Sequence, residues 1–561
     1  MQDRKNFKSI FLVKLPMCSH PDSIGSDSFR TKNPFRPGPS LALPVLRAFL
    51  EKYKTYDYKI KAVDLNLEAY TEPGIPVDTS VYPNLLAGVI KNNDYDVLAI
   101  SIMFVFNVRW VDDIVKLSRK LHPEAKIMIG GGYPTLFPER CLLKHDIDDA
   151  IIGEGEATFL HILNKYNNHR DVEFDKKFPH GSYATKNEKG EVNVIKGEYH
   201  LIDLADLPMP AWDYINIEGY FKRSGDKVLP IEGSRGCPYR CSYCTSFIFC
   251  GPRIRYKPVE NLINEILEIK ERYKDIKTLR FIDDNLSFSK DWIKDFLTKI
   301  INLKLPLKLE IQNFSVKHLD EEIVRLLIEA GTHTFTIAVE SGSPEMQKRI
   351  NKNLNFNLVR DAVKMMKSHD VHIHICWMIG FPGETLEQIN ETFNFARELK
   401  ANSNQFVTVL PYPGTQLFDE AKKANLLVFS EDDLDKFDNR RCDYVKSDQW
   451  NYDQLQKIIY DANIEMNFLN NPSLKTPAGR DKLLSFFIDN ELLLSIPDHI
   501  ILYLVIGYIY KQKNCYAEYE KHYNKAKELF KDEKLAETFS KYLSWDNPII
   551  KDYNQFLSKF Q

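Results

Sequence analysis

The chain has 561 residues, enough for several domains, and its 75 lysines and arginines nearly balance its 78 aspartates and glutamates. A net charge of -3 gives no support for the strongly basic surface that nucleic-acid or membrane binding uses. Nine cysteines are few for a chain of this length, and their number is odd, so we do not expect a disulfide framework. The absence of such a framework favours a reducing, cytoplasmic setting. The longest uncharged apolar run, Ile500 to Tyr510, predicts a buried helix and no membrane span.

The first third of the chain alternates short β-branched runs with amphipathic stretches. This pattern predicts strands at 9–14, 59–64, 97–102, 126–130 and 149–152, and helices at 40–54, 82–92, 108–121 and 157–165. We therefore expect an α/β fold that begins with a Rossmann-like, doubly wound domain over residues 1–166.

Small and acidic residues follow the strands of this predicted domain. They are Ser101, the run Gly130, Gly131 and Gly132, and the turn that contains Glu154 and Gly155. Because ligands of doubly wound domains bind at the carboxyl ends of the strands, these residues are candidates for a binding site. A plain glycine-containing loop is the alternative interpretation.

Residues 167–227 are predicted to be a connector that includes a hairpin between Gly181 and Gly197. From residue 228 the alternation of strands and helices resumes, with strands predicted at 228–233, 278–283, 307–312, 334–339, 372–379 and 405–410. Six such units predict a partial (β/α)6 barrel of the TIM type over residues 228–430, with its chemistry at the carboxyl ends of the strands.

Three cysteines lie together directly after the first of these six strands. Cys237, Cys241 and Cys244 are spaced C-x3-C-x2-C, and such closely spaced thiolates suit an iron-sulfur cluster or zinc. A structural zinc site usually needs a second cysteine pair, and none follows. A 4Fe-4S cluster normally takes four cysteines, so three would leave one iron open to a small molecule. Cys250, the nearest further thiol, reads as a small buried apolar residue.

This cysteine motif, with Tyr243 just before its last cysteine, resembles the signature of radical S-adenosylmethionine (SAM) enzymes. The resemblance implies that Cys237, Cys241 and Cys244 hold a 4Fe-4S cluster and that Tyr243 packs near the adenine of SAM. It also implies that SAM binds the open iron and is cleaved to a 5'-deoxyadenosyl radical. An external one-electron donor such as flavodoxin or ferredoxin would supply the electron.

Several strand ends of the predicted barrel are also similar to segments of that family. Asp283-Asp284-Asn285 follows the second strand and Glu340-Ser341-Gly342-Ser343 follows the fourth. The resemblance places Asp284 near the methionine amino group, and Glu340 and Ser341 near the ribose and carboxylate of SAM. Carboxylates suit these contacts because they accept charge-assisted hydrogen bonds.

The glycine-rich first domain, placed before the cysteine motif, resembles the cobalamin-binding domain of cobalamin-dependent radical SAM enzymes. The resemblance implies that Ser101, Gly130, Gly131, Gly132, Glu154 and Gly155 contact cobalamin. The histidine motif that supplies an axial cobalt ligand in other cobalamin proteins is absent, since asparagine stands at its nearest counterpart in Asp64-Leu65-Asn66.

Residues 431–561 contain helical patterns rich in tyrosine, phenylalanine and lysine. We expect a helical C-terminal domain that could cover the barrel mouth and help to select a small-molecule or peptide substrate.

The family resemblance implies a radical SAM enzyme that methylates an unactivated carbon of its substrate. Cyclisation, ring contraction or another rearrangement with the same cofactors is one alternative. A non-catalytic module that binds a metal cluster is an alternative of a different class.

Overall fold

A computed structural model describes residues 7–18, 38–54, 56–70, 77, 79–187, 189–197, 201–312, 314–430, 443–488 and 496–559. The chain divides into two compact units. Unit 1 comprises Met1–His333, Ile350–Lys352 and Leu410–Lys446, and unit 2 comprises Thr334–Arg349, Asn353–Val409 and Ser447–Gln561.

The first part of unit 1 is built on one twisted sheet. Its strands are β1 Ser9–Lys14, β2 Lys59–Asp64, β3 Val97–Ile102, β4 Lys126–Gly131, β5 Asp149–Ile151, β6 Tyr183–Lys186 and β7 Val192–Ile195. They pair in the order β2-β1-β3-β4-β5-β6-β7, and the first five are parallel. The order of these five is that of a doubly wound domain, which confirms the fold predicted from the sequence.

Helices cover this sheet. They are α1 Ala42–Tyr53, α2 Leu65–Glu68, α3 Tyr82–Lys91, α4 Val108–Leu121, α5 Gly132–Leu136, α6 Pro138–Lys144, α7 Glu156–Tyr166 and α8 Val172–Lys177. In α4, apolar residues recur every three or four positions, so Trp110, Val111, Ile114 and Val115 share one buried face. The strands between the helices are buried runs of isoleucine, leucine and valine, as expected for a parallel sheet covered on both faces.

The hairpin β6–β7, which the sequence pattern places in a connector, extends the sheet of the first domain. Strand β6 pairs antiparallel with β5, with Ala150 opposite Ala184, and β7 pairs with β6. An edge strand leaves its backbone N–H and C=O groups without sheet partners, and the hairpin supplies those partners to β5. Sequence periodicity identified the hairpin but not its neighbour, because pairing between distant strands leaves no local signal.

The second part of unit 1 carries a parallel sheet of three strands. Its elements are α9 Ile217–Ser224, β8 Val228–Ile231, β9 Ser234–Arg235, α10 Ser246–Cys250, β10 Arg255–Tyr256, α11 Val259–Arg272, β11 Thr278–Phe281, α12 Lys290–Asn302, β12 Lys308–Ile311 and α13 Glu321–Glu329. The strands pair in the order β12-β11-β8, and β9 and β10 form a short antiparallel ribbon. The predicted cysteine loop lies between β9 and α10.

Unit 2 begins with a second parallel sheet of three strands. Its elements are β13 Thr334–Glu340, α14 Pro344–Arg349, α15 Phe356–Lys367, β14 His372–Ile379, α16 Leu386–Leu399 and β15 Ser403–Thr408, after which α17 Gln416–Lys423 belongs to unit 1. The strand order is β13-β14-β15. Burial alternates along β14, where Ile373, Ile375, Trp377 and Ile379 are buried and the residues between them are half-buried.

The described C-terminal residues of unit 2 form helices, as the sequence predicts. They are α18 Tyr452–Asn463, a π-helical turn Ile464–Leu469, α19 Pro477–Ile488, α20 Ile500–Gln512, α21 Tyr516–Leu529, α22 Glu533–Phe539 and α23 Pro548–Ser558. Helix α20 is the apolar run singled out in the sequence, and it is the buried centre of this bundle. A side chain at Gly507 would come within 2.4 Å of the Tyr523 ring, so the glycine permits α20 and α21 to pack closely. The predicted domain boundary at residue 431 lies outside the described residues.

Within the described residues, no helix combines the length and the apolar character needed to cross a bilayer.

A buried ion pair between Lys257 and Glu265 of α11 provides a test of this packing. The Lys257 ammonium and the Glu265 carboxylate are 2.5 Å apart and almost fully buried. Replacing Glu265 by glutamine should lower the free energy of unfolding by about 3 kcal/mol, because it leaves a buried lysine without its counter-ion. Thermal unfolding of the purified protein measures the effect. The matched control is Glu268→Gln on the same helix, whose carboxylate is half-exposed and pairs with Arg272 on the surface. Equal melting temperatures for the two variants would contradict the assigned role of the pair.

Candidate active site

The three cysteines lie in a loop that backbone contacts fix from several sides. Gly236 has φ +91°, and a side chain there would come within 2.5 Å of the Arg253 carbonyl oxygen, so the loop requires glycine directly before Cys237. The backbone N–H of Ser242 donates to Ile350 O at 2.9 Å, and Ser242 O accepts from the N–H of Leu417 at 2.9 Å. The loop is therefore tied to two chain segments that are distant in sequence.

Cys237, Cys241 and Cys244 are all half-buried, and none of them is in a disulfide. Burial raises the pKa of Cys244 to about 11, with smaller contributions from the nearby Cys241, Asp284 and Cys237. Among the described residues no three side chains converge on a single metal ion. A cluster of four irons does not need such convergence, because each cysteine binds a different iron. Three soft thiols on one constrained loop are the donor set that a 4Fe-4S cluster uses.

The loop after β11 contacts the cysteine loop through two aspartates with different surroundings. Asp283 is buried and accepts hydrogen bonds from the backbone N–H groups of Gly233 and Ser234 and from the Ser234 hydroxyl. Burial raises the pKa of Asp283 to about 7. Asp284 is exposed, and its carboxylate accepts a hydrogen bond of 2.7 Å from the Ser246 hydroxyl, two residues beyond Cys244. Asp284 is thus the carboxylate that a ligand could reach. Asp283, which the sequence places beside it after the same strand, is instead a buried anchor, a role that the strand pattern did not indicate.

Asn285 completes this group. Its side-chain N–H lies 3.9 Å from the Cys237 sulfur, and its buried carbonyl oxygen has no hydrogen-bond partner among the described residues. Buried polar atoms are normally paired, so an orphaned acceptor beside the cysteine loop fits a site that takes a ligand with N–H or O–H donors.

Two tyrosines of the cysteine loop contact basic side chains. The Tyr243 hydroxyl accepts a hydrogen bond of 3.2 Å from Lys352, and Lys317 lies 4.7 Å above the ring of Tyr239. Arg240, between them in sequence, is exposed. The outer side of the cysteine loop is therefore basic and aromatic.

The predicted residues of the first domain meet at the carboxyl edge of its sheet. Ser101 and Gly130 are neighbours in the register of β3 and β4. A side chain at Gly130 would meet nothing within 4 Å, whereas one at Gly131 or Gly132 would come within 2.0 Å of the carbonyl oxygens of Ile102 or Met103. Gly131 and Gly132 thus permit a close approach of two backbones, and Gly130 faces open space that a ligand can fill.

This edge lies against the helix that follows the cysteines. The position a side chain would take at Gly132 is 3.6 Å from the ring of Phe249 in α10, and the one at Gly153 is 3.8 Å from Phe249 O. Within unit 1, the two sites that sequence analysis predicted separately are therefore adjacent.

The turn after β5 contributes ion pairs. The carboxylate of Glu154 accepts from both terminal nitrogens of Arg255, and the carboxylate of Glu156 accepts from Arg235 at 2.8 Å. Gly155 is the N-terminal cap of α7. The sequence indicates Glu154 as a candidate cofactor contact. It does not indicate the arginine partner, because Arg255 lies 101 residues away in the chain.

In unit 2, the end of β13 has an unusual backbone. Glu340 has φ +70°, and the pairing of β13 with β14 shifts register between Ala338 and Glu340. Such a conformation is costly for a residue other than glycine and is concentrated at functional sites. Ser341 is fully buried, and its hydroxyl lies 3.2 Å from that of Thr392 in α16. The contact of Ser341 with SAM stays a prediction.

The loop after β14 buries a further acid that sequence analysis did not single out. Glu384 accepts from the N–H groups of Gly380 at 2.6 Å and Phe381 at 3.0 Å, and burial raises its pKa to about 7. Its second carboxylate oxygen is buried and has no hydrogen-bond partner among the described residues. Glu384 therefore shapes this loop and keeps one acceptor unused.

Two parts of the chain match known families. Residues 231–396 match the radical SAM superfamily, and residues 36–163 match the B12 binding domain. The first region contains the cysteine loop, Asp284 and Glu340, and the second contains Ser101, Gly130 and Glu154.

Two curated relatives are similar over much of the chain. Cytidylyl-2-hydroxyethylphosphonate methyltransferase of Streptomyces wedmorensis is 27% identical over 502 residues, which are 82% of this chain and 88% of the relative. The anaerobic magnesium-protoporphyrin IX monomethyl ester cyclase of Rubrivivax gelatinosus is 23% identical over 376 residues, or 66% of this chain and 65% of the relative.

A solved structure shares the fold. It is that of the cobalamin-dependent S-adenosylmethionine radical enzyme OxsB with aqua-cobalamin and S-adenosylmethionine bound. The TM-score is 0.63 at 16% identity, and the match covers 98% of this chain and 84% of that one.

The fold and the cysteine loop define a radical SAM protein that carries an additional B12 binding domain and a helical C-terminal region. The chain thus combines the two domains that characterise the cobalamin-dependent radical SAM enzymes. These two domain matches indicate a 4Fe-4S cluster, SAM and cobalamin as its cofactors. The donor set of the cysteine loop and the open space at Gly130 fit them.

Asp283 offers a test of how the cysteine loop is held. An amide provides one accepting oxygen instead of two, so Asp283→Asn should destabilise the loop by about 1–3 kcal/mol. We expect much less iron to be retained after anaerobic reconstitution, measured per protein chain. Asp291→Asn, an exposed position at the start of α12, is the matched control. Wild-type iron content in Asp283→Asn would show that this anchor is dispensable.

Proposed function

We propose that this enzyme transfers a methyl group to an unactivated carbon of its substrate. The observation that carries the proposal is the contact between Phe249, five residues beyond Cys244, and the glycine edge at Gly132 and Gly153. It brings the candidate cluster site and the candidate cobalamin site to one place in unit 1, where a single substrate could meet both.

In the proposed assignment, Cys237, Cys241 and Cys244 each bind one iron of the cluster. Their loop is fixed by Gly236 and by the backbone bonds of Ser242, which keeps the three thiols at a constant separation. Three ligands leave the fourth iron for the amino and carboxylate groups of SAM. When bound, the cluster supplies the electron that cleaves SAM to a 5'-deoxyadenosyl radical, and cobalamin supplies the methyl group.

The chain's own residues would orient SAM. The exposed carboxylate of Asp284 can accept a hydrogen bond from the methionine ammonium, and the ring of Tyr243 can pack near the adenine. We assign Glu340 and Ser341 to the ribose and carboxylate. The left-handed backbone at Glu340 supports this assignment, because such strain persists where surrounding contacts fix it.

Cobalamin would lie over the ends of β3 and β4. Ser101 and Gly130 border the open space, and Gly131 and Gly132 shape its floor through their close approach to β3. Glu154 and Gly155 border the neighbouring turn. Because Glu154 is paired with Arg255, we assign it to holding this turn in place.

A basic face beside the cysteine loop supports an external one-electron donor such as flavodoxin or ferredoxin. Arg240 is exposed there, and Lys317 and Lys352 flank the tyrosines of the loop. Cations at this position would attract an acidic donor to the cysteine loop. We place the enzyme in the cytoplasm, where its thiols stay reduced. A substrate that is a small molecule or peptide fits a net charge of -3 better than a nucleic acid does.

The likeness to a cyclase supports a second candidate function. The cyclase relative aligns with 66% of this chain, so the same cofactors could serve ring formation or another rearrangement without methyl transfer. The methyltransferase relative aligns with 82% of the chain at higher identity, which favours methyl transfer.

Methyl-labelled SAM distinguishes these functions. The reconstituted, reduced enzyme is incubated with labelled SAM and extract of its own host, and both 5'-deoxyadenosine and the label are followed. We expect 5'-deoxyadenosine and one labelled product, and neither from Cys237→Ala, Cys241→Ala or Cys244→Ala. Cys250→Ala, which changes a neighbouring thiol in α10, is the matched control and should behave like wild type. Formation of 5'-deoxyadenosine with an unlabelled product would favour the rearrangement, and absence of 5'-deoxyadenosine would refute radical SAM chemistry.

The open space at Gly130 gives a separate test of cobalamin binding. The Cβ of a valine at Gly130 would meet no atom within 4 Å, so we expect the fold to be kept while the side chain occupies space over β4. We expect cobalamin affinity to fall at least about tenfold, which corresponds to roughly 1.4 kcal/mol, by absorbance titration with hydroxocobalamin. Gly88→Val in α3, which also has nothing within 4 Å, is the matched control. Unchanged affinity in Gly130→Val would place cobalamin elsewhere.

A further inference from the structure

The turn after β5 and the strand before the cysteine loop are joined by five charged side chains, each only 10–15% exposed. We call this group the ion cluster, and its members are Glu154, Glu156, Glu232, Arg235 and Arg255. We infer that the ion cluster fixes the B12 binding domain against the cysteine loop, and that Arg235 is the positioning residue on which the separation of the two cofactors depends. The inference rests on the proposed function.

Arg235 lies at the centre of the ion cluster. Its Nε donates to both carboxylate oxygens of Glu232 at 2.9 Å, and its Nη1 donates to Glu156 Oε1 at 2.8 Å. The Glu154 carboxylate is 3.8 Å from the same nitrogen. The Arg235 side chain is 11% exposed, and those of Glu154 and Glu156 are each 10% exposed. One guanidinium therefore connects its own strand end to the turn of the other domain, in surroundings with little water.

Arg255 makes a second link between the same segments. Both of its terminal nitrogens donate to Glu154, and Nη1 also donates to Ile202 O at 2.6 Å. Nη2 lies 3.4 Å from Cys250 O, the last residue of α10. This arginine thus connects the turn after β5, the segment after the hairpin, and the helix that follows the cysteines.

The members of the ion cluster occupy positions where small displacements affect both sites. Arg235 is two residues before Cys237, and Glu154 adjoins Gly153 and Gly155 of the candidate cobalamin edge. A guanidinium holds carboxylates in a fixed planar geometry, which an ammonium cannot reproduce. The cluster therefore sets the orientation of the two segments as well as their distance.

Stability alone does not account for such an arrangement. Removing charged groups from water is costly, and well-packed apolar side chains of similar size often stabilise a protein as well or better. The ion cluster holds three carboxylates and two guanidinium groups, so its formal charge is -1. Buried charges of this kind are best attested where they specify one register between packed elements, which is the role inferred for Arg235.

The consequence concerns a reaction in which two cofactors serve one substrate. A displacement of about 1 Å at a reacting centre can reduce the rate about a hundredfold. A link that holds the two candidate cofactor edges at one separation would therefore favour the reaction.

The test compares Arg235→Lys and the milder Glu156→Gln with Arg119→Lys. Arg119 lies in the B12 binding domain and contacts Asp146 and Asp148 outside the candidate cobalamin edge, so its replacement makes the same chemical change without touching the ion cluster. In the protein without cofactors, hydrogen exchange should rise at least tenfold in residues 152–157 and 233–237 for Arg235→Lys and Glu156→Gln. The Arg119→Lys variant should match wild type in both segments.

The second measurement reports cofactor separation without any substrate. In protein loaded with cob(II)alamin and the reduced cluster, the spin relaxation of cobalt depends on its distance from the irons. We expect one relaxation rate for wild type and Arg119→Lys, and a broadened distribution for Arg235→Lys and Glu156→Gln at equal iron and cobalt content.

The outcomes separate the two claims. Unchanged exchange, or a single wild-type relaxation rate in both cluster variants, would overturn the inference. Exchange that rises equally in all three variants would also overturn it, since the effect would then be one of general stability. A wild-type protein that takes up no cobalamin would instead count against the proposed function, and the exchange measurement would still decide whether the ion cluster joins the two segments.

Discussion

The pairing of buried carboxylates with two arginines, across the junction of two domains, is the interaction on which the arrangement of the candidate site depends. Glu154 lies in the turn after β5 and Glu156 is the first residue of α7, whereas Arg235 and Arg255 flank the cysteine loop. Neither set of charges is tolerable alone in such buried surroundings, so each domain completes the other. Gly132 and Gly153 of the first domain lie beside α10, since a side chain at either position would be in ordinary van der Waals contact with Phe249.

The two aspartates after β11 have different roles, one structural and one available to a ligand, and the same difference recurs elsewhere in the candidate site. Asp283 is buried and serves the protein by holding Gly233 and Ser234, whereas Asp284 is exposed and can serve a ligand. In unit 2, Glu384 combines both situations. One carboxylate oxygen accepts hydrogen bonds from the backbone of its own loop, and the other has no hydrogen-bond partner among the described residues. Acids of both kinds follow strands in the sequence, but only their surroundings distinguish an anchor from a ligand contact.

Much of the fold followed from local periodicity. The strand bounds predicted at 9–14, 59–64, 97–102 and 372–379 agree with the structure, because buried runs and alternating patterns are local properties. The hairpin β6–β7 was recognised but placed outside the sheet, since its pairing with β5 depends on distant residues. For the same reason, the sequence indicated Glu154 as a site residue but not its contact with Arg255. The sequence of the glycine run does not show which of its glycines are needed for packing and which border a ligand space. Backbone contacts require Gly131 and Gly132, and only Gly130 borders open space.

The hairpin β6–β7 joins the first domain to a residue that contacts the region of the cysteine loop. By covering the edge of β5, the hairpin makes the chain up to Ile195 an integral part of the first domain, and seven residues later Ile202 O accepts a hydrogen bond from Arg255 beside the cysteine loop. Ile195 and Ile202 are therefore both held by contacts within unit 1, the first in the sheet and the second beside the cysteine loop. Insertions and deletions are tolerated best in loops whose ends are not held in this way. In homologues that conserve the two domains, the number of residues between these two positions should accordingly vary far less than the length of an ordinary interdomain linker.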